Sequence, residues 1–266
     1  MIVKKIKNKA YQIMTFLGVD PIITYRNIVG VFSFYVKDYL HLKYQIKENN
    51  SLLKIKKINP VLTDKFSEGG IARGAYFFQD LLVAQKIYIK NPDKHLDIGS
   101  RFDGFVAHVA CFRQIDVLDI RYIDNNIENI SFKQADLMGD CTELYNCYDS
   151  VSSLHAIEHF GLGRYGDSID IFGSEKGINN IYKILRSGGI FYFSVPIGSL
   201  RIEFNAHRVF SITYLLEIFK NKFFIKSFSY VDDEGVLHEN IQLDSIGVKS
   251  NFGCNNGCGI FELVKI

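Results

Sequence analysis

One ten-residue stretch, His95-Leu96-Asp97-Ile98-Gly99-Ser100-Arg101-Phe102-Asp103-Gly104, constrains the fold of this chain more than any other part. An apolar run that ends in Asp-x-Gly and passes straight into a helical period reads as a buried strand, a tight turn and a helix start. Such a turn places free backbone N–H groups and a carboxylate at the carboxyl edge of a sheet. Open α/β sheets bind nucleotide-like ligands at that edge. The alternation continues downstream, with strands expected at 95–99, 116–120, 131–135, 150–154, 190–195, 226–231 and 259–265. Helices are expected at 75–89, 103–112 and 175–185, and from a Ser211 cap to Phe219. In the first of these, Phe77, Leu81, Ala84 and Ile87 share one face, and the helix is placed to cap the crevice. Ser187-Gly188-Gly189 reads as the C-cap of the third. Strands alternating with helices imply right-handed crossovers and a mostly parallel sheet covered on both faces.

The 266 residues suffice for one large α/β domain plus an appendage. Residues 1–74 read as an N-terminal helical appendage and 75–266 as the ligand-binding domain. The first 60 residues are amphipathic and broken near Gly18-Val19-Asp20-Pro21, where Asp20 before Pro21 marks a helix start. They carry eleven Lys/Arg against three acids, a balance of +8, whereas the remainder is −6. Cation excess therefore belongs to the appendage, and no nucleic-acid signature covers the domain. The longest apolar run there, Ile28–Val36, is too short to span a bilayer, although a peripheral membrane contact fits the basic, aromatic pattern. Five cysteines without framework spacing, and no secretory leader, point to reduced thiols in the cytoplasm.

Three acids stand at successive strand ends. Asp97 ends the first strand, Asp119 the second, twenty-two residues on, and Asp136 the third. A carboxylate at the second position accepts from both hydroxyls of a ribose. One at the third accepts from an adenine amino group, with Ile120 and Leu137 beside it to pack on the ring. Gly99 admits close backbone approach.

The fourth strand and its exit, Tyr148-Asp149-Ser150-Val151-Ser152-Ser153-Leu154-His155-Ala156-Ile157-Glu158-His159, resemble those of the class I methyltransferases that use S-adenosylmethionine (SAM). The resemblance covers about 95–265, and its elements fall in that family's order. It is closer still to a bacterial branch from surface-polysaccharide gene clusters, on His95–Phe105, His155–Asp167, Phe193–Gly198, Arg201–Ser211 and Asn251–Glu262. It implies a Rossmann-like seven-stranded sheet with the last strand antiparallel, and SAM as cofactor. SAM would be held by Asp97, Gly99, Ser100, Asp119, Ile120, Asp136, Leu137 and Leu154. It also implies a sugar or sugar-linked methyl acceptor. One departure stands out: Ser100-Arg101-Phe102 replace the further glycines usual in the wider family. Their absence also counts against a nicotinamide dinucleotide, whose pyrophosphate needs that close approach.

An acceptor hydroxyl must lose a proton, which suits histidine. His155, His159 and His207 are the candidate bases, His155 and His207 being favoured and His159 also suited to orienting the next loop. Arg201, Glu203, Asn205, Arg208 and Arg164 are expected to bind the acceptor, and the glycine-rich 161–167 loop to act as a lid or a static turn. No metal is expected: Asp232-Asp233-Glu234 with His238 and Glu239 reads as a solvated hairpin, and Cys254 with Cys258 lacks the four ligands of a structural zinc. The rival readings are N-methylation of an amino sugar and a non-catalytic SAM- or nucleotide-binding partner in glycan assembly.

Overall fold

A computed structural model describes residues 11, 14–67, 69–70, 72–123 and 126–266. The helical expectation for residues 1–10 and 12–13 lies outside them. The chain divides into two compact units, 1–71 and 72–266. In the first, α1 (Pro21–Gly30) passes through a π-turn at Val31–Tyr35 into α2 (Val36–Glu48). Asp20 caps α1 as its spacing from Pro21 requires, accepting from the backbone N–H groups of Ile22 and Ile23. Among the described residues no helix is long and apolar enough to cross a membrane.

The second unit begins with α3 (Ala75–Lys90), β1 (His95–Ile98), a π-turn at Phe102–Val106 leading into α4 (Ala107–Ala110), β2 (Ile115–Asp119) and β3 (Ile130–Gln134). It continues through β4 (Tyr148–Leu154), α5 (Gly173–Ile184), β5 (Leu185–Ile197), β6 (Arg201–Glu203) and β7 (His207–Val209). It ends with α6 (Ile212–Phe219), β8 (Phe223–Val231), β9 (Leu237–His238), α7 (Ser245–Ser250) and β10 (Gly257–Lys265). The main sheet has the order β3-β2-β1-β4-β5-β10-β8-β9. β1–β5 run parallel, and β10 inserts antiparallel between β5 and β8. This is the Rossmann-like, mostly parallel sheet expected from the sequence, with the short β9 added at one edge.

Two apolar layers enclose the sheet. On one face α5 and α6 bury Ile178, Ile181, Ile184, Leu215 and Phe219 against Val151, Phe191, Phe193 and Phe261. On the other, α3 and α4 bury Val83, Ile87 and Val109 against Val117, Leu154, Tyr192 and Ile260. Each fully buried side chain of this size contributes about 1.5–3 kcal/mol. His95 ties β1 to β4 by bonding Ser150 (2.9 Å) and Ser152 (3.0 Å), and its burial pushes its pKa down to about 3, so it is neutral.

Three local expectations are corrected. The buried face of α3 is Gln79, Asp80, Val83, Ala84 and Ile87, while Phe77 and Leu81 stay exposed. The helix is turned because its two polar residues are used at the sheet edge. Ser187-Gly188-Gly189 is an irregularity inside β5, since the chain pairs with β4 already at Leu185. Residues 201–209 form a two-stranded antiparallel ribbon rather than a loop.

Candidate active site

The carboxyl ends of β1–β4 open together on one cleft. Its floor is Ile98-Gly99 from β1 and Leu118-Asp119-Ile120-Arg121 from β2. Its sides are Ala135–Met138 after β3, His155-Ala156 and His159-Phe160 after β4, and Tyr165 and Asp167 from the following loop. Gly99 has φ +68°, and a Cβ there would lie 2.9 Å from that of Ala156. The turn therefore closes only around glycine.

The acids share this edge but stand in different states. Asp136 lines the cleft and accepts from the Met138 N–H (2.8 Å). Asp119 lines it too, almost wholly buried, and is gripped by Arg121: Nε to Oδ1 at 3.0 Å and a terminal guanidinium nitrogen to Oδ2 at 2.7 Å. The Arg121 guanidinium also lies 4.4 Å from the centre of the Tyr165 ring, so one arginine links the tip of β2 to the loop after β4. Asp97 is not among the lining residues. It is fully buried and accepts from the Ser100 N–H (3.1 Å), the Ser100 hydroxyl (2.7 Å) and the Ser152 hydroxyl (2.6 Å). Burial pushes its pKa up to about 7 against the pull of those donors. Its place is that of a strut holding the turn. Ser100 shares that role, giving its hydroxyl to Asp97 and taking the Leu154 N–H (3.1 Å), so neither Ser100 nor Leu154 lines the cleft.

The histidines divide similarly. His155 sits at φ +52° and lines the cleft, and its Nδ1 donates to Gln79 Oε1 at 2.7 Å. Burial lowers its pKa to about 3. His159 also lines the cleft, and its Nδ1 donates to the Ala206 carbonyl at 2.6 Å. That bond fixes the tautomer and leaves Nε2 as an acceptor. Burial lowers its pKa to about 4, the Ala206 bond opposing. Beside it Glu158 is fully buried, with Oε1 3.8 Å from His159 Nε2 and Oε2 without a hydrogen-bond partner among the described residues. Burial pushes this carboxyl up to about 8, so it is protonated at neutral pH. His207 is not a lining residue; its Nε2 is buried 3.7 Å from Glu203, and its ring centre is 6.4 Å from that of His159.

Most of the expected acceptor-binding residues are engaged elsewhere. Arg208 is buried and donates to the carbonyls of Phe160, Asp170 and Ile171, so it staples the post-β4 loop instead of facing a ligand. Arg201 bonds Glu203 (2.8 Å) and the carbonyls of Ser199 and Asn255. Glu203 and Asn205 are exposed on the ribbon. Arg164 is also exposed, but it reaches the Ala206 carbonyl (2.8 Å) at the rim, beside His159. The 161–167 loop is organised around Asp167, which accepts from the N–H groups of Gly161, Gly163 and Tyr165. Asp232 pairs with His238 at 2.8 Å, and Cys254 and Cys258 are free thiols, Cys258 lying against Gln79 and His155.

The sequence reading missed Gln79, Asp80, Arg121 and Tyr165. Gln79 Oε1 accepts from the Ser194 hydroxyl (2.6 Å) as well as from His155, while its Nε2 donates to Asp80 (3.1 Å). Asp80 approaches Gly104 so closely that a Cβ there would lie 2.5 Å from its Oδ2. For Gln79 and Asp80 the available signal was an adjacent Gln-Asp pair between the apolar runs 75–78 and 81–84.

The sheet order and the crevice at its carboxyl edge define a class I SAM-dependent methyltransferase fold. Burkholderia thailandensis 1,6-didemethyltoxoflavin-N1-methyltransferase, crystallised with 1,6-didemethyltoxoflavin and S-adenosylhomocysteine, superposes with TM-score 0.51 at 14% identity, over 73% of this chain and 79% of that one. The N-methyltransferase NodS of Bradyrhizobium japonicum, in complex with S-adenosylhomocysteine, gives 0.47 at 12% identity over 72% and 88%. A putative methyltransferase of Listeria monocytogenes gives 0.47 at 15% over 71% and 97%. No curated protein matches the sequence. The family model described as "Caenorhabditis protein of unknown function, DUF268" matches residues 109–253, more than half of the chain, and the chain belongs to that family. The matched segment includes Asp119, Asp136, His155, His159 and His207, and begins after β1.

Proposed function

We propose that this chain is a SAM-dependent methyltransferase acting on a hydroxyl of a sugar or sugar-linked precursor of a surface polysaccharide. One observation carries the cofactor half: Gly99, Asp119, Ile120, Asp136 and Leu137, from three neighbouring strand ends, line a single cleft. These residues fit an adenosyl group. Asp136 takes the adenine amino group, Ile120 and Leu137 cover the ring, and Asp119 takes the ribose hydroxyls once Arg121 turns away. Gly99 and the backbone after β4 leave room for the amino-acid portion. When bound there, SAM supplies an electrophilic methyl group.

On the acceptor side, Tyr165 offers an aromatic face, Arg164 a guanidinium and His159 a fixed proton acceptor, a set that suits a polyhydroxylated ring. His159 is the base in this reading: it lines the cleft with Nε2 unprotonated and stands beside Tyr165 and Arg164, His155 lines the cleft with its Nδ1 held by Gln79, and His207 is not a lining residue. The neighbouring protonated Glu158 puts no negative charge beside it at neutral pH. In this reading residues 75–266 form the methyltransferase domain of a cytoplasmic enzyme, with 1–74 as an appendage. The test is calorimetric titration of S-adenosylhomocysteine, followed by transfer of a labelled methyl group to nucleotide-sugar and glycan precursors. Binding without turnover on any hydroxyl or amine acceptor would leave only a SAM-binding module, and absence of binding would overturn the reading.

A further inference from the structure

The helix made by α1, its π-turn and α2 runs without a break from Pro21 to Glu48, about 42 Å at 1.5 Å per residue. Its one buried residue is Gly30, which abuts Leu62. Elsewhere the helix exposes a continuous apolar stripe at three- and four-residue spacing: Ile22, Tyr25, Val29, Phe32, Val36 and Leu40. Phe32 is 77% and Tyr25 70% exposed. Such residues scattered singly would be ordinary, but six in register along one helix are not. Arg26, Lys37, Lys43 and Lys47 are exposed on the same helix, and Lys54, Lys56 and Lys57 follow it. Of the acids near them, Asp20 caps α1, Asp38 pairs with Lys65 at 2.6 Å, and Glu48 ends α2 exposed. Among the described residues no ion pair neutralises the four helix cations.

We propose that this helix is a docking surface for an anionic lipid bilayer, on which it lies in the plane of the headgroups. The stripe and the cations together select the occupant. A bilayer takes apolar side chains between its lipids and cations against its headgroups. A nucleic acid would use the cations and leave Phe32 and Ile22 without a partner. A second copy packed stripe to stripe would bring the same cations together, which opposes association. The charge interruptions and the absence of a spanning helix among the described residues exclude crossing and leave the interfacial position. This inference does not depend on the cofactor reading, and it places the chain beside lipid-linked acceptors.

The chain contains no tryptophan, so Phe32→Trp gives a single fluorescent reporter in the stripe. The full-length variant is titrated with vesicles of pure phosphatidylcholine and with vesicles containing phosphatidylglycerol. A blue shift with the anionic vesicles, reversed by high salt, is the expected result. Lys37→Gln, Lys43→Gln and Lys47→Gln combined should weaken binding roughly 100-fold, since each surface cation contributes about fivefold. Tyr25→Ser with Val36→Ser should weaken it roughly 10-fold. All these positions are exposed, and unchanged S-adenosylhomocysteine affinity serves as the folding control where that ligand binds; circular dichroism serves otherwise. Equal or absent binding to both vesicle types overturns the proposal. So does a blue shift of the reporter that rises with protein concentration in the absence of lipid, which identifies a dimer, or one produced by duplex DNA.

Discussion

Replacing Asp119 by alanine separates the cofactor reading from its alternatives, because two terms of opposite sign meet at this carboxylate. In the free protein the carboxylate is paired with Arg121, whose side chain is half exposed. A pair of that kind contributes about 0.2–1 kcal/mol. In the complex it accepts from two ribose hydroxyls, each charge-assisted bond contributing about 1.5–3 kcal/mol. The difference is about 2–6 kcal/mol, so Asp119→Ala should weaken S-adenosylhomocysteine binding at least about 30-fold at about 1.4 kcal/mol per decade. Arg121→Ala removes the competitor together with its contact on Tyr165, and should tighten binding by about 1.4- to 5-fold. Calorimetric titration of both variants, with circular dichroism to verify folding, gives the comparison. A folded Asp119→Ala variant whose Kd stays within about threefold of the parent would refute the ribose role. An Arg121→Ala variant that binds more weakly would refute the competition.

Other consequences follow from the same geometry. His159→Gln should lower kcat for a hydroxyl acceptor by about 10²–10⁴-fold while leaving S-adenosylhomocysteine affinity near the parent value, whereas His207→Gln should change kcat little; if the acceptor is an amine, the His159 effect shrinks to a few-fold. Glu158, pushed up to about 8 from an ordinary 4.5, binds its proton more tightly folded than unfolded. Its contribution is therefore fully present below about pH 4.5 and is lost as pH rises through 8, with a slope of up to about 1.4 kcal/mol per pH unit; urea unfolding at pH 5.5–8 should show this slope reduced in Glu158→Gln. Gly99→Ala combines a positive φ with a close contact, and should cost about 1–2 kcal/mol and lower Tm by about 2–8 °C in calorimetric scans, with weaker ligand binding. Arg208→Ala strands several buried carbonyls and should lower the free energy of urea unfolding by at least about 2 kcal/mol.

What could be read from the sequence was whatever depends on neighbours along the chain. The alternation of strands and helices, the caps at Asp20 and Ser211, and the arrival of Asp119 and Asp136 at strand ends all follow from local pattern. What each acid then touches depends on residues brought from far away. Asp97 stands at a strand end like the other two, but Ser152, 55 positions on, completes its burial. Arg208 looked like a ligand-binding guanidinium because polarity in a loop suggests a site; carbonyls 37 to 50 positions away claim it instead. Arg121, two residues after Asp119, was within reach of local reasoning, since an arginine at i+2 can fold back on a strand-end carboxylate. Gln79 and Asp80 show the reverse failure. Apolar periodicity assigns them to solvent, yet a satisfied polar network can replace apolar packing on a buried helix face.

A crystal structure of the protein grown with S-adenosylhomocysteine tests the central claim most directly. The account predicts the adenine between Ile120 and Leu137 with its amino group on Asp136, the ribose on Asp119, and the Arg121 guanidinium swung off that carboxylate. Density for the ligand at any other place, or an intact Arg121–Asp119 pair over an empty cleft at saturating ligand, would contradict it.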